Sequence, residues 1–221
     1  MTNIRIDAND MRAILDYARQ RIQQEESALN ALDAAIGDGD HGITMRVGLQ
    51  AVQAALAVSP QDASLSEVLI EAGKAFMGGT GGAIGVIFGR MLSAGGNALT
   101  NINGMGPAEL KIMLNGMETG VARAGKARPG DKTLLDSLHA ACESLKSSPT
   151  SESLSEAISR AACAAEEGAE RTAGMHCRLG RASRLGDRAL GHRDPGAVSF
   201  SLVLRSMAVW VKGKDREAVP N

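Results

Sequence analysis

Apolar residues recur along this chain at steps of three and four, and no stretch alternates at steps of two. Met11, Ile14, Leu15, Ala18, Ile22, Leu29 and Leu32 mark one stripe; Ile43, Val47, Ala51, Ala54, Ala55 and Val58 mark a second, which stops before Pro60. Such spacing gathers side chains on one face of an α-helix, whereas a half-buried strand needs alternation and β-branched richness. Ser64 followed by Glu67 is a capping box that opens a third helix, with Leu65, Val68, Leu69, Ala72 and Phe76 turned inward. Pro107 stands where a first helical residue belongs, ahead of Leu110, Met113, Leu114, Met117 and Val121. Further stripes cover 134–145, 154–165 and 198–211, and an apolar segment covers 84–92. The expectation is an all-α fold, a bundle of eight helices in one domain over residues 1–212, with a polar, frayed tail from Gly213.

Composition narrows the partners. The 221 residues carry 24 basic and 25 acidic side chains, with no basic block to neutralise a nucleic-acid backbone. One Trp, one Tyr and three Phe cannot build stacking platforms or a membrane belt. Neither a leader sequence nor an apolar run of about eighteen residues is present, so a cytoplasmic protein without membrane or nucleic-acid partners is expected. Cys142, Cys163 and Cys177 are odd in number and lack CxxC spacing, which reads as buried reduced thiols.

Where chemistry could sit, the clearest feature is Leu32-Asp33-Ala34-Ala35-Ile36-Gly37-Asp38-Gly39-Asp40-His41-Gly42, with three carboxylates in eight positions. Carboxylates held this close repel unless a cation sits among them, and oxygen donors on a glycine loop suit Mg²⁺. In an extended loop Asp38 and Asp40, two apart, point the same way. The segment also fits GxGxxG, but no strand precedes it and two aspartates would repel a pyrophosphate. An EF-hand fails at Gly42 and Leu49. The plainer alternative is a helix C-terminal turn with solvated aspartates.

Met77-Gly78-Gly79-Thr80-Gly81-Gly82-Ala83-Ile84-Gly85 runs glycines into an apolar helix, either as an amide cradle for phosphate or as close helix packing. No lysine follows as in a P-loop, so positive charge would come from ions on the aspartates. The arginine-rich run 178–188, followed by Gly191-His192-Arg193-Asp194-Pro195-Gly196, offers forked phosphate contacts or merely a charged surface loop. Asp194-Pro195-Gly196 reads as a tight turn or the start of the last helix. In Gly130-Asp131-Lys132-Thr133, either Asp131 or Thr133 caps the next helix. His41 lies beside the aspartates as a candidate phosphate contact, while His139 and His176 read as surface or packed residues. No Ser/His/Asp or Cys/His arrangement for nucleophilic catalysis is legible.

Together and in this order, the Leu32–Gly42, Gly78–Gly85, Gly130–Asp136, Gly180–Gly186 and Gly191–Ala197 motifs resemble the nucleotide-binding L subunit of dihydroxyacetone kinases, found also as the C-terminal domain of single-chain ATP-dependent enzymes. The resemblance implies an eight-helix antiparallel up-and-down barrel with ADP or ATP at one end. It implies that Asp33, Asp38 and Asp40 hold two Mg²⁺ ions, with His41, Thr44 and the Gly81-Gly82-Ala83 backbone beside the phosphates. Gly125 and Leu134 would line the adenine side, and Arg181 and the Asp194-Pro195-Gly196 turn would close over the nucleotide. The family commonly has Asn where Thr44 stands and Ser where Ile84 stands, so a side-chain phosphate contact is lost at Ile84. The ketose would bind a separate K-type subunit, without which this chain is inactive. The donor would be ATP, or a phosphohistidine protein of the sugar phosphotransferase system that recharges a retained ADP. A non-catalytic nucleotide-binding regulator and a metal-dependent phosphatase are the rival readings, and a homodimer stays open.

Overall fold

The computed structural model describes residues 4–147, 149 and 151–217, and of Arg181 and Ala182 the backbone only. Within these residues there are nine α-helices: α1 (Ala8–Gln24), α2 (Glu26–Ile36), α3 (His41–Val58), α4 (Leu65–Gly79), α5 (Gly82–Ala98), α6 (Pro107–Gly125), α7 (Leu134–Ser144), α8 (Leu154–Arg171) and α9 (Pro195–Glu217). Two 3₁₀ segments, Thr172–Gly174 and Arg181–Ala189, fill the connection from α8 to α9. An antiparallel bridge between Ile6 and Met105 is the sole β-pairing among the described residues.

The helices close into a ring. α1 packs on α3, and each helix from α3 to α8 packs on the next; α9 then lies against both α8 and α1. Eight helices therefore make the barrel, as expected, and α2 stands outside the ring against α3. From α2 onward, short connections force consecutive helices to run antiparallel. Consequently the loops α2–α3, α4–α5, α6–α7 and α8–α9 gather at one end.

Sequence cues locate most boundaries. Ser64 and Glu67 make the reciprocal capping box on α4, and Pro107 sits in the first turn of α6. Thr133, rather than Asp131, caps α7, with Asp136 returning the bond. The Asp194 carboxylate caps α9 through the Ala197 N–H, so Asp194-Pro195-Gly196 is a helix start. The core is built from Leu, Ile, Met and Ala, with one aromatic pair, Phe76 and Phe88, at 4.8 Å between centroids. Small residues set the spacing of α4, α5 and α6: a Cβ on Gly116 would come within 2.6 Å of the Ala98 Cβ, and one on Gly73 would collide with Gly89 and Ser93.

Three expectations are corrected. The first stripe is two helices, broken at Glu25 (φ −94°, ψ 4°), because the polar run between Ile22 and Leu29 offers no large apolar side chain to hold one axis on the core. Over Gly213–Glu217 the expected frayed tail is helical, Lys214 pairing with Asp10 of α1 and lying 5.6 Å from the Trp210 ring centroid, while the rest of that tail, 218–221, lies outside the described residues. Of the three thiols only Cys142 is buried, while Cys163 is exposed on α8 and Cys177 half-buried.

Candidate functional site

A cleft of about 980 Å³ opens at the end of the barrel where those four loops meet. Every carboxylate of the acidic segment lines it, and oxygens of Asp33, Asp38 and Asp40 lie within 4.8 Å of one another. Asp33 projects from the last turn of α2, where one of its oxygens accepts the N–H groups of Gly39 (2.8 Å) and Asp40 (3.1 Å). Those bonds wrap the loop around Asp33. Contrary to the expectation from spacing, the loop is not extended: Gly39 takes φ +80°, and this left-handed turn brings Asp40 back toward Asp33. At Gly37 a Cβ would strike the other Asp33 oxygen, so a side chain there would displace that carboxylate. Asp40 occupies the cap position of α3 without capping it, since the Asn30 side chain accepts the Gly42 and Ile43 N–H groups instead. An all-oxygen donor set with no nitrogen or sulfur fits a hard divalent ion such as Mg²⁺.

The start of α5 lines the same cleft as the carboxylates. Gly81, Gly82, Ala83 and Ile84 all line it. A Cβ on Gly81 or Gly82 would meet nothing within 4 Å, so packing does not require glycine there; Gly79 and Gly85, by contrast, do pack, against Ala51 and Thr80. Helix starts at this end are otherwise capped: α3 by Asn30, α7 by Thr133 and α9 by Asp194. Only α5 among these has no side-chain cap, so its first N–H groups remain available to an anion.

Apolar groups complete the cleft. Ile87, Val121, Gly125, Ala127 and Leu134 line it together with Cys177, Leu179 and Gly180. His41 is 6% exposed and its Nε2 lies 3.0 Å from Ser199 Oγ. Burial pushes its pKa down to about 4, against the pull of Asp33, so the ring is neutral at physiological pH. Asp194 shows the opposite shift, raised to about 7 by burial, with the Ala197 N–H and Lys132 opposing and the charges of Asp136 and Asp33 adding.

The DAK2 domain family matches residues 35–209. The chain belongs to the DAK2 domain family. This DAK2 domain is 36% identical over 190 residues to the "PEP-dependent dihydroxyacetone kinase, ADP-binding subunit DhaL" of Escherichia coli, covering 85% of the chain and 90% of that subunit. It is 33% identical over 202 residues to the "L-erythrulose 1-kinase" of Mycolicibacterium smegmatis, covering 90% of the chain but 35% of that enzyme. The chain thus spans about a third of the length of such longer relatives. Among solved structures, the dihydroxyacetone kinase of C. freundii in complex with AMP-PNP and Mg²⁺ superposes with a TM-score of 0.67 at 27% identity, covering 90% of this chain and 33% of that one. Its native form gives 0.70 at 25% identity, covering 95% and 36%.

Thirteen of the site residues expected from sequence line the cleft of this DAK2 domain: Asp33, Asp38, Asp40, His41, Thr44, Gly81, Gly82, Ala83, Gly125, Leu134, Asp194, Pro195 and Gly196. The fourteenth, Arg181, begins the second 3₁₀ segment, and its side chain lies outside the described residues. His139 is paired with Glu118 at 2.6 Å on the barrel wall, and His176 is exposed near Asp187. Sequence reasoning passed over Lys132, which lines the cleft at 1% exposure. A lysine between two capping candidates in a Gly-Asp-Lys-Thr turn looks solvent-facing, and no sequence signal marks it; its left-handed backbone, φ +61°, uncommon for a non-glycine residue, shows only in the fold.

Proposed function

We propose that this chain is the nucleotide-carrying part of a kinase for short ketoses of the dihydroxyacetone type, seating ADP or ATP with Mg²⁺ and passing the phosphoryl group to a ketose on a K-type subunit or domain. One observation carries the reading: three clustered carboxylates and an uncapped glycine helix start line one cleft. The carboxylates would hold two Mg²⁺ ions, and α5 would present Gly81, Gly82 and Ala83 amides to the phosphates, flanked by His41 and Thr44. Mg²⁺, when bound, supplies charge neutralisation of the polyphosphate and of the transferred group. A neutral His41 adds no charge of its own, so it orients rather than neutralises. Gly125 and Leu134, with Ile87 and Val121, would take the adenine, and Arg181 with the Asp194-Pro195-Gly196 turn would close the site. Positioning does the rest, because phosphoryl transfer asks little covalent chemistry of the protein.

The names of its relatives support this reading, and the same reading makes the chain a cytoplasmic phosphotransferase that is inactive without its partner. Calorimetry tests it: ADP binds the parent chain in Mg²⁺ and not in EDTA, and Asp38→Ala abolishes binding. Undiminished ADP affinity in Asp38→Ala rejects the site. A regulatory module would bind ADP yet give no ketose phosphate with any K-type partner, and a phosphatase would release phosphate from simple esters unaided. Ketose phosphate formed with ATP alone identifies ATP as donor; a requirement for a phosphohistidine protein of the sugar phosphotransferase system identifies the other. Sedimentation of the purified chain tests the homodimer.

A further inference from the structure

The wall of the cleft formed by residues 176–188 is poorly equipped to hold its own position. It contributes Cys177, Leu179 and Gly180 to the cleft and touches α2, with Leu179 packed on the core, yet Ser183, Arg184, Gly186, Asp187 and Arg188 are exposed, so apolar burial anchors only part of it. Its two ends meet at one side chain. The Lys132 ammonium donates to the Ala189 carbonyl at 2.7 Å and the Met175 carbonyl at 3.3 Å, the residues that bracket this segment. Lys132 is almost wholly buried, on a backbone held in the left-handed region, and an ammonium is taken out of water only where such acceptors replace the solvent. The neighbouring backbone adds to the clamp, the Arg178 N–H donating to the Asp131 carbonyl at 3.2 Å.

We propose that Lys132 is a positioning residue for nucleotide binding: by tying the Met175 and Ala189 carbonyls together it holds the 176–188 wall against the cleft, without itself touching the nucleotide. The proposal rests on the nucleotide reading above for its ligand, though not for its structural half. When the ammonium is removed the wall samples positions away from the cleft, and nucleotide affinity falls by the fraction of molecules left competent.

The experiment uses the full chain with Lys132→Met. Far-UV circular dichroism is expected to match the parent, because the clamp lies outside the helical ring. Trypsin, given Arg178, Arg184 and Arg188 as cleavage points, is expected to cut the wall about tenfold faster, since cleavage follows the open population. The ADP dissociation constant in Mg²⁺ is expected to rise about tenfold, with kcat at saturating nucleotide, measured with a K-type partner, within about twofold of the parent. Lys132→Gln, which keeps N–H donors, is expected to recover part of both losses. Cleavage and affinity both unchanged in a folded Lys132→Met overturn the proposal. So does loss of helical signal in both variants, which would make Lys132 a support of the whole barrel. Faster cleavage in a chain whose parent binds no ADP would leave the clamp standing and remove the nucleotide reading instead.

Discussion

At Gly39 the backbone takes φ +80°, and the donors that wrap Asp33 come from this residue and the next. Any side chain here pays for a left-handed conformation, about 1–2 kcal/mol, so Gly39→Ala is expected to lower stability by that amount and weaken Mg²⁺-dependent ADP binding, read by urea melts and calorimetry. Asp194 predicts a pH dependence. Its carboxyl stays protonated in the fold up to about pH 7, whereas the unfolded chain ionises it near 3.8. Between those values the folded state binds more protons, so this group's stabilising contribution is full at the acid end and is lost as pH rises through 7. The facing groups are Asp136 of α7, Asp33 of α2 and Lys132. Asp194→Asn keeps an oxygen acceptor for the Ala197 N–H, and its melting temperature in EDTA is expected to vary less between pH 5 and 8 than the parent's; an equal slope contradicts the assignment. The aspartates were legible as types and spacing, but their convergence through a left-handed glycine was not, because neighbouring positions do not show a φ angle.

Among the elements, α4, α5 and α6 lie close because glycine and alanine face one another. A methyl on Gly73 meets the Gly89 carbonyl and Ser93, whereas one on Gly213 meets nothing within 4 Å. Gly73→Ala is therefore expected to cost about 1–3 kcal/mol in a urea titration, and Gly213→Ala to cost nothing or to stabilise α9 slightly. Similar losses at both positions would mean that helix propensity, not packing, sets the effect. Helix identity was readable throughout from apolar steps and caps, as at Ser64 and Pro107. The break at Glu25 was harder to see, since Leu29 and Leu32 keep the seven-residue step after Ile22 while the axis itself changes. Propensity follows the residue; direction follows what the face packs on, which for α2 is α3.

Across the whole molecule, the site is assembled from four loops widely separated in sequence, so ligand binding and folding are coupled. Mg²⁺ and ADP together, at about a hundred times the dissociation constant, are expected to add about 2.7 kcal/mol to the free energy of unfolding, seen as a raised melting temperature that EDTA reverses. ADP in EDTA giving the same rise would contradict a metal-bridged site. The sequence by itself determined that this chain is helical, where most helices start and stop, and which residue types could hold a cation and a phosphate, because periodicity, caps and carboxylate chemistry are local properties. Closing the ring decided the rest. It brought the start of α5 and the acidic loop to one cleft, capped every neighbouring helix start but that one, and turned a lysine of an ordinary-looking loop inward to hold two carbonyls from beyond α8. Those are relations between residues far apart in the chain, and packing between helices is what sets them.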